Sequence, residues 1–270
     1  MKIAVHQMCS STHADSNIEA MIEGISAAAE SGAVIYFAPE MSVLLDRDRV
    51  RAKESILAEG EDPRLQRIGE AASNYGIWVH LGSTPVRHEQ GRFANRSLLF
   101  DDKGKIRARY DKMHLFDVDL ASGESWRESA AYRGGDSPVV TDTPIGRMGL
   151  SICYDLRFPD LYSVMARNGA TVFAIPAAFT VPTGKAHWHI LLRARAIESA
   201  AFVIAAAQCG RHEDERETFG HSLVVDPWGD VLLDMGQGEG LGFAEIDPAR
   251  VDVVRAQIPV HLNRRKIPPL

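Results

Sequence analysis

Short apolar runs alternate with longer segments that are apolar along one side only in the first part of the chain. Residues 2–8 (KIAVHQM) form a compact apolar run that predicts a β-strand. In residues 15–32, Ile18, Ile22 and Ile25 recur at helical spacing, which predicts a helix with one buried face. This order predicts strands that are connected through helices.

The same alternation continues to the end of the chain, with hairpins between the helical segments. Two alternating segments flank the turn DDKGK within residues 93–110, which predicts a β-hairpin. Pro159 suits the first turn of a helix, where a backbone N–H has no helical partner. Further strands are predicted in RMGLSIC, TVFAIPAAF and FVIAAAQC, and a helix in KAHWHILLRARAIESA. The pattern is typical of an α/β fold with a mixed sheet. Because no linker or repeat interrupts it, we predict one domain over residues 1–270 with a short extended C-terminal tail.

Composition excludes several classes of protein. The chain of 270 residues is 45% hydrophobic and carries 36 acidic against 30 basic residues, a net charge of -6. A nucleic-acid binder normally has a basic face, so no nucleic-acid partner is predicted. Three cysteines without paired spacing predict no disulfide framework, and no apolar run is long enough to span a membrane. With a polar N-terminal segment as well, these features predict a cytoplasmic protein.

Three residues with reactive side chains follow predicted strands. Glu40 is the last residue of VIYFAPE, Lys112 is the last residue of the strand-like IRARYDK, and Cys153 is the last residue of MGLSIC. Loops at strand ends are where α/β folds collect catalytic groups, because the sheet holds them rigidly. A carboxylate can take the thiol proton, a thiolate can attack a carbonyl carbon, and an ammonium can stabilise the oxyanion. Each residue also has an ordinary structural explanation, since a single cysteine at a strand end is more often part of the core.

Three sequence segments carry a family resemblance. FAPEMS, YDKMHLFDVD and GLSICYDLRFPDLY, in this order and at these separations, resemble the signature segments of the nitrilase superfamily, the carbon–nitrogen hydrolases. The similarity extends nearly from end to end and includes PTGKAHWHILLRARAIES and GHSLVVDPWG. The resemblance implies an αββα sandwich with mixed sheets, whose subunits pair into αββα–αββα dimers. It also implies a Cys–Glu–Lys mechanism that needs no metal or organic cofactor.

The resemblance assigns a role to each reactive residue. Glu40 becomes the general base, Lys112 the cation that stabilises the oxyanion, and Cys153 the nucleophile that forms a thioester. Glu128 matches a second glutamate that orients the lysine, and the backbone N–H of Tyr154 is the expected second donor to the oxyanion. The implied reaction converts a small amide into a carboxylic acid and ammonia. We expect Lys112 to lower the pKa of the Cys153 thiol, because a nearby cation favours the thiolate.

The small-molecule substrate is less closely defined. The chain resembles most closely the branch of small amidases that act on deaminated glutathione or, as ω-amidases, on α-ketoglutaramate. N-carbamoyl amino acid amidases are a further possibility. Arg157 lies four positions after Cys153, and the matching arginine of related carbamoyl amidases binds the substrate carboxylate. A bidentate contact of this kind positions a ligand well, although an internal salt bridge is an equal alternative.

The segment FTVPTGKAHW follows the strand beside the nucleophile strand and is predicted to line the same pocket. Its candidate substrate-binding residues are Phe179, Thr183, His187 and Trp188. Trp188 also suits the protein core, and His187 also suits a bracing role on the helix.

Other interpretations use different residues. A papain-like Cys–His hydrolase would pair Cys153 with His114, His187 or His221, but the local signature of that family is missing. A metal site in HWH and a phosphate-binding loop in MGQGEGLG are weaker, because the first has no ligand cluster nearby in sequence and the second lacks the G-K-[ST] ending. A binding or scaffold protein with a relict site is the non-enzymatic alternative.

Overall fold

Two large β-sheets lie face to face in the structure, a computed structural model that describes residues 1–88, 91–119, 123 and 125–268. The strands within these residues are β1 (Lys2–Gln7), β2 (Ile35–Phe37), β3 (Trp78–His80), β4 (Thr84–Arg87), β5 (Phe93–Phe100), β6 (Ile106–Asp111), β7 (Asp117–Asp119), β8 (Ser125–Arg127), β9 (Val139–Thr143), β10 (Gly146–Leu150), β11 (Val172–Ala174), β12 (Phe202–Ala205), β13 (Cys209–Arg211), β14 (Glu217–Phe219), β15 (Leu223–Val225), β16 (Val231–Asp234) and β17 (Gly240–Glu245).

Helices connect the strands and cover the outer faces of the sheets. They are α1 (Ala14–Glu30), α2 (Arg49–Ser55), α3 (Pro63–Tyr75), α4 (Pro159–Arg167), α5 (Val181–Ser199), α6 (Ala249–Gln257) and α7 (Val260–Asn263). Among the described residues, none of these helices has the length and apolar character needed to cross a membrane.

Both large sheets are mixed, as the sequence predicts. The first has the strand order β17-β1-β2-β3-β5-β4, with β6 paired to β5, and the second has the order β16-β15-β12-β11-β10-β9. Strands β1, β2 and β3 run parallel, as do β10, β11 and β12, and helices cross between them. In both sheets the parallel strands therefore bring their carboxyl ends, and the loops that follow, to one edge.

Side-chain alternation along β1 and β2 divides the core into layers. Ile3, Val5 and Phe37 belong to the cluster that also contains the strands of the second sheet and helices α4 and α5. Ala4 and Tyr36 face the opposite way, into the cluster beneath α1 and α3. Because strand residues alternate in direction, one sheet buries both of its faces. The result is the αββα order of layers that the family resemblance implies.

Two boundaries differ from the sequence prediction. Helix α5 begins at Val181, four residues before the predicted segment, with Pro182 in its first turn. Proline is favoured there because its missing N–H would have no helical partner. The C-terminal tail, predicted as extended, begins with the short helix α7 before residues 264–268 continue without regular structure.

Candidate active site

Glu40 lies in the loop that follows β2, buried and only 5% exposed. The loop packs closely over Gly82, where an added Cβ would lie 2.0 Å from the Pro39 carbonyl oxygen, so only glycine fits. Gln208 donates a side-chain hydrogen bond of 2.9 Å to the Glu40 carbonyl oxygen. These contacts fix the backbone that carries the carboxylate, and Glu40 has little rotational freedom.

Lys112 follows β6 and places its ammonium between two carboxylates. Its Nζ lies 2.9 Å from Glu40 Oε1 and 2.9 Å from Glu128 Oε2. The lysine side chain is only 3% exposed. Glu128, in a short 3₁₀ turn after β8, also accepts the Phe116 N–H at 2.7 Å. A buried cation shared by the buried Glu40 and the half-buried Glu128 is held at one position, because each partner restricts it.

Cys153 begins a 3₁₀ turn at the end of β10 and is 8% exposed. Its φ is +48°, in the left-handed region that residues other than glycine rarely adopt. Such a conformation costs on the order of 1–3 kcal/mol and persists only when the surroundings enforce it. The Cys153 N–H donates to the Pro176 carbonyl oxygen at 2.9 Å, which holds the turn against the loop after β11. The strained turn directs the thiol toward Glu40.

Asp155 connects the turn of Cys153 to the loop of Lys112. It is completely buried and does not line the cavity. One carboxylate oxygen accepts from the Tyr110 hydroxyl at 2.7 Å and the Ile152 N–H at 2.9 Å. The other lies 2.7 Å from His114 Nδ1 and 3.0 Å from the His114 N–H. One side chain therefore sets the positions of both reactive loops relative to each other.

Further partners hold the Glu40 carboxylate. Asn95 donates its side-chain N–H to Glu40 Oε1 at 2.9 Å and to Glu128 Oε1 at 3.4 Å. The Ala178 N–H donates to Glu40 Oε2 at 2.9 Å. Neither residue was identified from the sequence, because each acts on Glu40 across a long stretch of chain. A carboxylate with partners on both oxygens is positioned as a base without being free to rotate.

The electrostatics of the three reactive groups favour a neutral thiol. Burial raises the pKa of the Cys153 thiol and the Glu40 charge raises it further, so it lies well above its usual value although Lys112 acts in the opposite direction. Burial alone would raise the pKa of Glu40, but the charge and hydrogen bond of Lys112 outweigh it and the pKa is lowered. Burial likewise opposes the charge on Lys112, but Glu128 and Glu40 raise its pKa well above the usual value.

Lys112 thus acts on the pKa of the Cys153 thiol in the expected direction, but burial and the Glu40 charge outweigh its effect. The resting groups are a thiol, a carboxylate and an ammonium, because one cation already serves two carboxylates. Such an arrangement transfers the thiol proton to Glu40 only when the sulfur attacks. A base positioned beside a neutral nucleophile is the arrangement of general-base catalysis.

Tyr154 follows the nucleophile in the same 3₁₀ turn. Among the described residues, its backbone N–H makes no hydrogen bond outside that turn. Its ring contacts Phe116 and Phe158 edge to face, with centroids 5.0 and 5.2 Å apart. The N–H is therefore available to a ligand while the ring is fixed by its neighbours.

A cavity of about 620 Å³ opens in front of the three reactive groups, and all three line it. Of the predicted substrate-binding residues, Arg157, Phe179 and Thr183 line this cavity. The Arg157 guanidinium carbon lies 5.4 Å from the Phe179 ring centroid. No ion pair of Arg157 occurs within the described part of the chain, so the alternative of an internal salt bridge has no support there.

Two predicted pocket residues lie elsewhere. Trp188 is fully buried in the core, packs on Phe179 with centroids 4.8 Å apart, and donates its indole N–H to the His221 carbonyl oxygen at 2.8 Å. His187 is exposed and its Nδ1 lies 3.2 Å from Arg157 Nη1, so it braces the arginine from outside. Adjacent residues of a helix point about 100° apart. Thr183, in the first turn of α5, lines the cavity, whereas His187 and Trp188 do not.

The histidines do not form a Cys–His pair within the described residues. The cavity lining there contains no histidine. His114 forms a hydrogen bond with Asp155 through its ring nitrogen Nδ1, and its ring stacks on Phe158 with centroids 3.6 Å apart. The ligand atoms of His189, His221 and Asp234 lie within 4.8 Å of one another, a cluster that the sequence analysis missed because its members are distant in sequence. Each histidine ring lies 2.9 Å from one Asp234 oxygen, which explains the cluster through hydrogen bonds alone.

Comparison with known proteins confirms the family resemblance. The family model for carbon–nitrogen hydrolases matches residues 2–256. The deaminated glutathione amidase of Yersinia enterocolitica is 39% identical over 97% of this chain and 92% of that protein. The crystal structure of the Caenorhabditis elegans NitFhit protein has a TM-score of 0.89 and 37% identity, and covers 98% of this chain and 65% of that one.

A second solved structure concerns the reactive cysteine of a relative. A mutant of the amidase from Nesterenkonia sp. AN1 shows the result of Michael addition of acrylamide at its active site cysteine. It has a TM-score of 0.80 and 25% identity, and covers 97% of this chain and 99% of that one. By the extent of these matches, the chain belongs to the carbon–nitrogen hydrolase family, whose members hydrolyse carbon–nitrogen bonds.

Proposed function

We propose that the protein is an amidase that hydrolyses a small carboxylate-bearing amide through a thioester on Cys153. The observation that carries the proposal is the convergence of Glu40, Lys112 and Cys153 at one cavity, with the thiol beside the carboxylate and the ammonium. Deaminated glutathione is the proposed substrate, because relatives named deaminated glutathione amidase match nearly the whole chain at about 40% identity.

In the proposed reaction, Glu40 takes the proton of Cys153 as the sulfur attacks the amide carbon. The oxyanion forms between the Lys112 ammonium and the Tyr154 N–H, and preorganised donors of this kind stabilise the developing charge strongly. Glu40 then gives its proton to the departing nitrogen, which leaves as the amine and breaks the carbon–nitrogen bond. Water, deprotonated by Glu40, hydrolyses the thioester and restores the thiol. Glu128 positions Lys112 through both steps.

The leaving group distinguishes the candidate substrates. A primary amide such as α-ketoglutaramate releases ammonia, as the sequence analysis expects. Deaminated glutathione contains only secondary amides, so its hydrolysis releases an amine that an ammonia assay does not detect. The activity assay therefore follows new primary amine as well as ammonia. An ω-amidase acting on α-ketoglutaramate, or an N-carbamoyl amino acid amidase, remains the second candidate.

Arg157 is the proposed partner of the substrate carboxylate nearest to the reacting carbon. Its place four residues after the nucleophile, its contact with Phe179 and its lack of a carboxylate partner among the described residues support this role. Arg157→Lys keeps the charge and removes the planar pair of donors, so KM for an anionic amide is expected to rise about 10-fold. An unchanged KM would contradict the binding role.

The decisive test is replacement of the proposed nucleophile. Cys153→Ala is expected to lower amide hydrolysis by at least about 10³-fold and to abolish acyl-enzyme formation, because no other group can form the thioester. Cys9→Ala is the matched control, since Cys9 is also a free thiol and does not line the cavity. Labelling by acrylamide, followed by mass spectrometry, should modify Cys153 in preference to Cys9. Activity of a folded Cys153→Ala protein near the wild-type rate would end the assignment of Cys153 as the nucleophile.

A homodimer is the proposed assembly. Ile190 and Ile197, seven residues apart and so on one side of α5, are 70% and 51% exposed. Trp228 and Val231, each 44% exposed, follow Ile197 across the neighbouring turn. An apolar face of this kind is typical of a protein interface. Light scattering should give twice the monomer mass of 29.7 kDa, and Ile190→Asp should shift the protein toward the monomer. A monomeric wild-type protein would contradict this proposal.

A further inference from the structure

Two hydrogen-bond donors at the cavity wall have no partner within the part of the chain that the structure describes. The Nε of Arg216 and the indole N–H of Trp126 are both shielded from solvent and make no hydrogen bond among the described residues. Both side chains line the cavity that contains Cys153. Buried donors are nearly always paired in folded proteins, so two unpaired donors at one wall need an explanation.

The two side chains touch each other. The Arg216 guanidinium carbon lies 4.8 Å from the Trp126 ring centroid. Trp126 comes from β8, whereas Arg216 stands in the turn between β13 and β14, the hairpin joined to the Phe179 loop by the hydrogen bond from the Phe219 N–H to the Phe179 carbonyl oxygen. The unpaired donors are therefore brought together by two separate hairpins on the wall that also carries Phe179.

Local charges do not neutralise Arg216 completely. Its nearest carboxylate is Asp214, with 3.5 Å between Arg216 Nη2 and Asp214 Oδ2. That carboxylate already accepts the N–H groups of Arg47 and Arg216 at 2.8 and 3.1 Å. The arginine side chain is 17% exposed. Arg216 can therefore donate to a further acceptor, and the indole N–H of Trp126 provides an additional donor.

The chemistry of the two donors identifies the ligand group. A guanidinium and an indole N–H only donate, so their partner must accept. A carboxylate accepts several hydrogen bonds and fits the planar donors of arginine.

We propose that Arg216 and Trp126 bind a second substrate carboxylate, on the part of the substrate that leaves with the amine. The inference rests on the proposed function, in which Arg157 binds the carboxylate of the acyl part. Arg157 and Arg216, two of the cationic residues that line the cavity, then select an amide with a carboxylate at each end. Deaminated glutathione has both carboxylates, whereas α-ketoglutaramate has the same acyl group and only one. The cavity of about 620 Å³ has room for the longer molecule.

The test compares kcat/KM for these two substrates, because they form the same thioester. Arg216→Gln is expected to lower the ratio of kcat/KM for deaminated glutathione to that for α-ketoglutaramate by about 10- to 100-fold, since a charge-assisted contact is lost. Trp126→Phe keeps the ring and removes the N–H, and should lower the ratio by about 3- to 10-fold. Arg67→Gln is the control, because Arg67 lies on α3 and pairs with the exposed Glu19, and neither residue lines the cavity.

A purely structural role for Arg216 would lower stability or affect both substrates equally. If the ratio changes by less than about 2-fold in Arg216→Gln, the second carboxylate site is overturned. A binding measurement keeps this result separate from a failure of the proposed function. In the Cys153→Ala background, calorimetry should show that Arg216→Gln raises the Kd of deaminated glutathione by about 10- to 100-fold. An unchanged Kd overturns the site even if the wild-type protein does not hydrolyse this amide.

Discussion

The reaction centre and the cavity wall formed by Arg216 and Trp126 are built in different ways. At the centre, both oxygens of Glu40 have partners, and Lys112 lies 2.9 Å from each of two carboxylates. At that wall, Arg216 and Trp126 each keep a donor without a partner among the described residues. The charged groups of the centre are paired within the protein, although the Asn95 side-chain oxygen has no partner among the described residues. In the proposal above, the wall gains its missing acceptor from the substrate.

The difference follows from what each region does. A base and an oxyanion site act best when they need no rearrangement during the reaction, so their groups are fixed by neighbours. A specificity site depends on the difference in binding free energy between the correct ligand and a wrong one. Donors that the wrong ligand leaves unpaired create that difference. Substitutions at the centre should therefore damage every substrate, and those at the wall should depend on the substrate.

Removal of Lys112 should have the largest effect. Lys112→Ala leaves the buried Glu40 and the half-buried Glu128 without their shared cation, which should cost about 3–5 kcal/mol of unfolding free energy. It also removes one oxyanion donor, so kcat should fall by about 10²–10³-fold for every amide. Urea unfolding and kcat measured on two substrates check both effects. Lys105→Ala is the control, because Lys105 is exposed and outside the cavity. A loss of kcat that differs between the two substrates would contradict the distinction between the centre and the cavity wall.

Asp155→Asn should damage the centre without touching the cavity. Asp155 is completely buried and does not line the cavity, but it receives hydrogen bonds from both reactive loops. An amide NH₂ opposite one of these donors leaves that donor unpaired, at a cost of about 1–3 kcal/mol. Thermal unfolding should show this loss, and kcat should fall about 10-fold for both test substrates. Asp160→Asn, an exposed change at the start of α4, is the control. Normal kcat with lower stability would limit Asp155 to a folding role.

The acid limb of the pH profile should report Glu40. Its pKa in the folded protein is lowered from 4.5, with Lys112 overcoming the effect of burial. The stability from this shift is therefore fully present above pH 4.5 and is lost as pH falls through the lower folded pKa. We expect kcat/KM to stay level down to about pH 5 and to fall only further into acid. An acid limb near neutral pH would show that another group limits the reaction.

The sequence predicted the elements and their reactive ends because those signals are local. Apolar periodicity marks β1, α1 and the hairpin of β5 and β6, and Glu40, Lys112 and Cys153 lie directly after strands. The remaining partners come from distant positions. Asn95 and Ala178 meet Glu40 across 55 and 138 residues of chain, a separation that no local pattern encodes.

The pocket residues illustrate the same limit. Phe179, Thr183, His187 and Trp188 share one short segment, but only the first two line the cavity, since the direction of each side chain depends on where α5 begins and how it packs. Arg216 lies outside the segment predicted to line the pocket. Its role depends on the contact with Trp126, 90 positions earlier in the chain, which exists only in the fold.

Trp188→Phe should have the smallest effect and separates the wall from the core behind it. The indole of Trp188 donates to the His221 carbonyl oxygen at 2.8 Å and packs behind Phe179, away from the cavity. Losing this hydrogen bond should lower the unfolding free energy by about 1–2 kcal/mol, with kcat and KM within about 2-fold of wild type. Phe179→Ala removes a side chain that lines the cavity, so KM should rise about 10-fold while Trp188→Phe leaves it unchanged. If Trp188→Phe instead raises KM for deaminated glutathione and not for α-ketoglutaramate, the residues that determine specificity include part of α5 behind the cavity lining.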